Sequence, residues 1–386
     1  MLKGFSVSSA GTIVKKRQIL GLDVLRFTAA LLVMWYHLAY GSWTFAAPFS
    51  QQIGFDFSVF SGLKPFAQFG WIGVEIFFVI SGYVIASSAE SATAGVFLES
   101  RVLRLAPGAW ICATLSALFL LAIHDPSPIL QLYLRSAFFF PLSPYIVGVY
   151  WTLWIEIAFY TVILMLLLAN RFRHIERTVI VIGSASSLLW FAWVVARYFD
   201  PGSFTAIFLN AFLFKRVAQL LLLEHGCFFA VGTLLWAEFS HGSKRSRVLW
   251  LFLFGLAGIA QIAGEGTRLG TSDLYVPAAV WFLSLGIFAL SVRWNDRLSM
   301  FFRGYANTIR NLGLATYPLY LIHAPILFWV CGYLHRFGIA WAAALPLTML
   351  LMIALSLAIT LYPERMIRTG LRRFGGAVLT ALDARR

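Results

Sequence analysis

Residues 21–37 read GLDVLRFTAALLVMWYH and set Asp23, Arg26 and His37 into a run that is otherwise apolar. About 20 such residues cross a bilayer as a helix, and this run is the core of one. At 100° per residue, Arg26 and His37 fall within about 20° of each other, and Asp23 within about 60° of Arg26. The three ionisable groups share one stripe. Charged and titratable groups are costly in lipid, so they face a protein interior or a functional cavity. The stretch predicts a membrane protein with a buried polar site at its first helix.

The rest of the chain agrees. Its 386 residues are 60% hydrophobic and only 12% charged, with a mean hydropathy of +0.81. Long apolar runs recur near 20–40, 66–88, 107–123, 150–169, 178–196, 217–239, 248–264, 274–292, 311–334 and 339–362. They predict an all-α membrane protein, a polytopic bundle of about ten transmembrane helices. No stretch is polar and long enough for a separate soluble domain. Residues 1–19 are basic, but the run that follows is too long and polar-spotted for a cleaved signal. Three parts result: a cytoplasmic basic N-terminus at 1–19, a transmembrane domain at 20–364, and a cytoplasmic basic tail at 365–386. LQLYLRSAFFFPLSPY (130–145), aromatic and broken by prolines, reads as a re-entrant or interfacial piece. The stretch 199–214 has room for a short extra helix. Internal repeats are absent.

A net charge of +14 raises nucleic acid as a partner, but the basic residues form short clusters between apolar runs, as membrane topology requires. Ten spans put both termini on one side. Lys64, Arg135, Arg197, Lys215, Arg216, Arg268 and Arg336 fall on the other side, Arg26 within the membrane, and all remaining Lys and Arg with the termini. That bias places both termini in the cytoplasm. Asp23 and Arg26 then lie in the inner half of the first span. His37 lies near its outer end, about 16 Å from Arg26 along the axis. Glu75, in GWIGVEIFFVISGYVIA (70–86), and Glu156, in YWTLWIEIAFY (150–160), lie in the outer halves of their spans.

Arg101 and Arg104 stand three apart in RVLRLAP (101–107), on one face just before the third run. Two guanidinium forks on one face suit phosphate oxygens; a plain topology anchor gives the same pattern. His37 has three readings: a general base near neutral pH, a nucleophile carrying an acyl group, or an inert hydrogen-bonded residue. Glu75 and Glu156 could orient a histidine or pair with arginine. His323, in TYPLYLIHAPI (316–326), stands between Pro318 and Pro325, and reads first as structural and second as cavity-lining. Glu224 and His225 are adjacent, cannot share a helix face, and carry no catalytic assignment. Cys112, Cys227 and Cys331 read as buried free thiols, without zinc or iron–sulfur spacing. There is no phosphate loop, zinc-protease helix or nucleophile elbow. The 17% aromatic content fits membrane interfaces and packing.

Together, GLDVLRFTAALLVMWYH, GWIGVEIFFVISGYVIA, RVLRLAP, WTLWIEIAFY, TYPLYLIHAP and LYPERMIR (361–368) resemble, in order, the blocks of the acyltransferase 3 family of bacterial integral-membrane acyltransferases. The resemblance covers about 20 to 370. It implies transfer of an acyl group, commonly acetyl, from cytoplasmic acyl-CoA to a hydroxyl of a cell-surface or exported carbohydrate. On it, His37 matches the family's essential histidine and Arg26 the arginine eleven residues earlier. Arg101 and Arg104 match the arginine pair associated with acyl-CoA, Glu156 an acidic motif residue, and Tyr320 and His323 the late block. The family often has aspartate where Glu75 stands, and many relatives append an extracytoplasmic domain. This chain ends soon after its tenth run, so the membrane domain would handle the acceptor alone or with a partner.

The expectation is therefore a multi-pass O-acyltransferase of the bacterial cytoplasmic (inner) membrane. His37 is its base, oriented by Glu156, with Arg26 and Asp23 as further catalytic candidates. Arg101 and Arg104 hold acetyl-CoA or another acyl-CoA, and Glu75, Tyr320 and His323 line the substrate cavity. Neither a metal nor nucleic acid is expected. Membrane lipid and a carbohydrate or lipid-linked glycan acceptor are, with polysaccharide-assembly partners left open. The rival readings are a transporter of a lipid-linked sugar or small anion, and a non-catalytic assembly subunit.

Overall fold

The computed structural model describes residues 5–7, 13–15, 18–122, 126–271 and 273–383 as a polytopic helical membrane protein. Eight helices among them are long and apolar enough to cross a bilayer, and a ninth span results if the bent pair Arg303–Ala324 and Ile326–Arg336 counts as one. The difference from the expected ten lies at 217–239. There Leu222 takes a φ of 59°, and the run divides into Arg216–Leu220 and the 16-residue helix Gly226–His241. A second correction concerns the third run. Its helix, Ala94–Leu121, begins well before the apolar stretch, so Arg101 and Arg104 lie inside the helix rather than ahead of it. The stretch 199–214 does contain a short helix, Phe204–Leu213, whose first turn is capped by the Ser203 hydroxyl accepting from Ala206 N–H at 3.2 Å. The only strands among the described residues are the antiparallel pair Phe5–Val7 and Ile13–Lys15.

The chain divides into two compact units: Met1–Ala29, Trp71–Leu98 and Thr152–Ala306 form one, and Ala30–Gly70, Glu99–Trp151 and Asn307–Arg386 the other. In the first, the Gly73–Ala89 helix packs closely on Gly226–His241. A Cβ at Gly82 would collide with the Phe229 carbonyl, so glycine is what lets the two backbones meet. Phe228, Phe229, Trp236, Phe254 and Trp281 fill the core around them. Arg247 is 2% exposed and is held by Glu176 and Glu238, each at 3.0 Å. The Asn295 side chain caps the start of the first helix, accepting from Leu20 N–H at 3.2 Å and donating to the Gln18 carbonyl at 3.0 Å.

In the second unit, Phe57, Phe60, Phe328 and Trp341 form an aromatic cluster. The Ala306–Arg336 helix breaks at Ala324, whose φ of −104° and ψ of 133° are extended. Pro325 dictates this, since the residue before a proline is pushed out of the helical region. Cys112, Cys227 and Cys331 are buried free thiols.

Candidate functional site

The first helix ends at Trp35, and Tyr36–Tyr40 form a wider π turn, with Gly41 N–H reaching Tyr36 O five residues back. His37 sits in this turn, half-buried. Single π turns recur at functional sites because they aim a side chain that a regular helix would not. The Nδ1 of His37 lies 2.9 Å from the Val33 carbonyl and 3.2 Å from His323 Nε2. A carbonyl only accepts, so Nδ1 carries the proton. His323 is buried in the last turn before the break at Ala324, where helix carbonyls lose their partners. Its own Nδ1 lies 2.8 Å from the Tyr320 carbonyl, so that nitrogen donates and Nε2 presents a lone pair to His37. His323 is then neutral, and His37 donates from Nδ1. The two rings stand edge to face at 4.7 Å, with Tyr36 and Phe45 at 5.2 and 5.8 Å from His37.

The sequence favoured a structural role for His323 and gave the orienting role to a carboxylate. Among the described residues, the hydrogen-bonding groups that the second unit itself supplies to the His37 ring are a histidine and a carbonyl. Tyr320 is buried one turn before, its ring 5.8 Å from that of His323.

Arg101 and Arg104, both half-buried, lie on the Ala94–Leu121 helix. The Arg104 guanidinium stands over the Tyr317 ring at 5.4 Å. Tyr317 in turn donates to the Leu105 carbonyl at 2.9 Å. Gly108 makes room for this ring: a Cβ there would lie 2.7 Å from it. The sequence reading did not single out Tyr317, although it stands in the same TYPLYLIHAP block as His323.

The other candidates lie in the first unit. Arg26 pairs with Asp23 at 3.5 Å, and Asp23 also accepts from the Gln18 amide at 2.7 Å. Glu156 accepts from the Tyr160 hydroxyl at 2.6 Å and from Ser81 at 3.2 Å. Glu75 is buried, accepts from the Gln261 amide at 3.1 Å, and stands 4.0 Å from His225. Glu224 is 3.4 Å from the same histidine. This buried Glu75–His225–Glu224–Gln261 group was not anticipated, because Glu75, the adjacent Glu224 and His225, and Gln261 are distant from one another in the chain. Among the described residues, no group of three or more His, Cys, Asp or Glu side chains is arranged to hold a metal ion.

Comparison with known proteins gives the site its context. The acyltransferase domain profile matches residues 19–362. Nodulation protein 10 of Rhizobium leguminosarum bv. viciae is 28% identical over 212 residues, covering 46% of this chain and 51% of that protein. O-acetyltransferase OatA of Staphylococcus aureus is 26% identical over 353 residues, covering 82% of this chain and 52% of that protein. The chain spans about half the length of these relatives. No solved structure matches. The profile runs from the first helix, through His37, Arg101, Arg104, Glu156 and His323, to the end of the 341–361 helix. The chain belongs to the acyltransferase 3 family.

Proposed function

We propose that this chain is a membrane-bound O-acyltransferase that moves an acyl group, acetyl first among them, from cytoplasmic acyl-CoA to a hydroxyl of a cell-surface or exported carbohydrate. The observation that carries the reading is the His37–His323 pair, whose hydrogen bonds fix Nδ1 of His37 as the donor, as a base acting through Nε2 requires. The OatA relative, an O-acetyltransferase by name, supports acetyl as the group transferred.

In the proposed step, the acceptor hydroxyl gives its proton to His37 Nε2 while its oxygen attacks the thioester carbonyl carbon. The carbon–sulfur bond then breaks, and the proton passes from His37 to the thiolate, releasing CoA as the free thiol. The imidazolium formed between these events keeps its Nδ1–H on the Val33 carbonyl and His323 Nε2. A guanidinium or backbone N–H steadies the oxyanion. Arg101 and Arg104 hold the donor's phosphates. Tyr317, beneath Arg104, and His323 are six residues apart on one continuous helix, about 9 Å along its axis. The pantetheine arm covers that interval. On the sequence resemblance, and on the stripe shared with His37, the proposal extends to Arg26, Asp23 and Glu156 as catalytic and to Glu75 and Tyr320 as cavity residues.

The test is labelled acetyl-CoA with purified protein in nanodiscs, comparing wild type, His37→Ala and Arg101→Ala/Arg104→Ala for CoA binding and thiol release. His37→Ala is expected to bind CoA and lose turnover by ~10²- to 10⁴-fold, and the double variant to lose binding. A wild type that neither binds nor cleaves any short acyl-CoA overturns the proposal. Unchanged turnover in His37→Ala overturns the role of the histidine.

A further inference from the structure

Pro107 lies inside the Ala94–Leu121 helix. It has no N–H to give to the carbonyl four residues back, which belongs to Leu103. That acceptor is taken by the C-terminal helix Pro363–Asp383, where Arg368 Nε donates to Leu103 O at 3.1 Å. The Arg368 Nη2 pairs with Glu364 one turn earlier. Glu364 is 2% exposed, and its Oε2 has no hydrogen-bond partner among the described residues. A Cβ at Gly108 would lie 3.8 Å from its carboxyl carbon, so this carboxylate packs on the same turn that carries the RVLRLAP arginines.

One buried carboxylate therefore stands in range of Arg104 and Arg368, and Arg372 is in range of Arg368 in turn. The surplus of guanidinium charge at a half-buried place suits an anion bearing several negative charges. We infer that the Pro363–Asp383 helix completes the donor site: Arg368 contacts a phosphate of the acyl-CoA, and Glu364 is a positioning residue that sets the Arg104 and Arg368 guanidiniums. The inference rests on the proposed reading of Arg101 and Arg104 as an acyl-CoA site. It assigns recognition of the nucleotide end, with its diphosphate and 3′-phosphate, to two helices rather than to one arginine pair.

The experiment is calorimetric titration of CoA into nanodisc-held protein at several salt concentrations, with inorganic diphosphate as competitor. Arg368→Ala is expected to weaken CoA roughly 10- to 100-fold, the effect of a lost charged hydrogen bond. The salt dependence should become shallower as well, because one screened ion pair is gone. Arg368→Lys keeps the charge but not the fork, and should fall between. Pro107→Ala keeps every arginine, gives Leu103 its helical partner, and should weaken CoA through release of Arg368. Glu364→Gln should weaken diphosphate competition along with CoA. Thermal melting separates these effects from misfolding, and Arg368→Lys and Pro107→Ala decide the matter if Arg368→Ala does not fold. If wild type binds CoA, Arg101→Ala/Arg104→Ala loses it, and Arg368→Lys and Pro107→Ala bind as wild type with an unchanged salt slope, this inference fails while the proposed function stands. If wild type binds no acyl-CoA, the proposed function falls and this inference with it.

Discussion

His323 Nε2 accepts from His37 Nδ1 at 3.2 Å, so a neutral histidine stands where many hydrolytic sites place a carboxylate. It fixes the tautomer of His37 without adding a negative charge. His323→Ala should lower kcat roughly 10- to 100-fold, part of what a positioned base contributes. CoA affinity should be unchanged, since Arg101 and Arg104 are intact. Steady-state turnover beside equilibrium CoA binding separates the two. Equal kcat in variant and wild type would mean that the Val33 carbonyl alone orients the ring.

Gly108→Ala puts a methyl group 2.7 Å from the Tyr317 ring, which must then shift. Overpacking of this kind costs about 1–3 kcal/mol. Thermal unfolding in detergent should show the loss, and weaker CoA binding should accompany it, because the displaced ring is the one beneath Arg104.

Glu156→Gln retains size but loses the carboxylate that the Tyr160 and Ser81 hydroxyls donate to. If Glu156 takes part in the chemistry, turnover falls while CoA binding holds. Tyr160→Phe removes one hydrogen bond and should cost ~0.5–1.5 kcal/mol of stability. Turnover of Glu156→Gln equal to wild type would restrict Glu156 to packing.

Arg247→Ala leaves the Glu176 and Glu238 carboxylates without their shared cation, a change that costs about 3–5 kcal/mol for a buried pair. Folded yield and melting temperature should both drop. In any protein that survives, CoA affinity should match wild type, since Arg247 has no part in the donor site.

Much of this was legible in the chain. Apolar runs of bilayer length marked the eight long helices and the bent pair Arg303–Ala324 and Ile326–Arg336, because one hydrophobic requirement dominates the composition of each. The run at 217–239 misled for the same reason: hydropathy registers apolar content and is blind to the positive φ at Leu222 that divides the helix. Arg101 and Arg104 were visible as an i, i+3 pair. Glu364, the last residue of the expected transmembrane domain, and Arg368, in the basic tail, were given no role, although the proline four residues after Leu103 announced an acceptor in need of a donor. His37 stood out as an ionisable group in lipid. Its partner did not, since nothing local in TYPLYLIHAP says that the turn before the proline break meets the π turn after Trp35.

The Leu103 carbonyl also bears on the order in which the protein is made. Its donor is Arg368, 265 residues further along the chain. During synthesis the Ala94–Leu121 helix is therefore complete long before its hydrogen bonding is. An unsatisfied carbonyl is costly in hydrocarbon, so until the last helix emerges water or lipid headgroups must serve it. A truncation before 368 would leave an early helix waiting for a residue that never arrives.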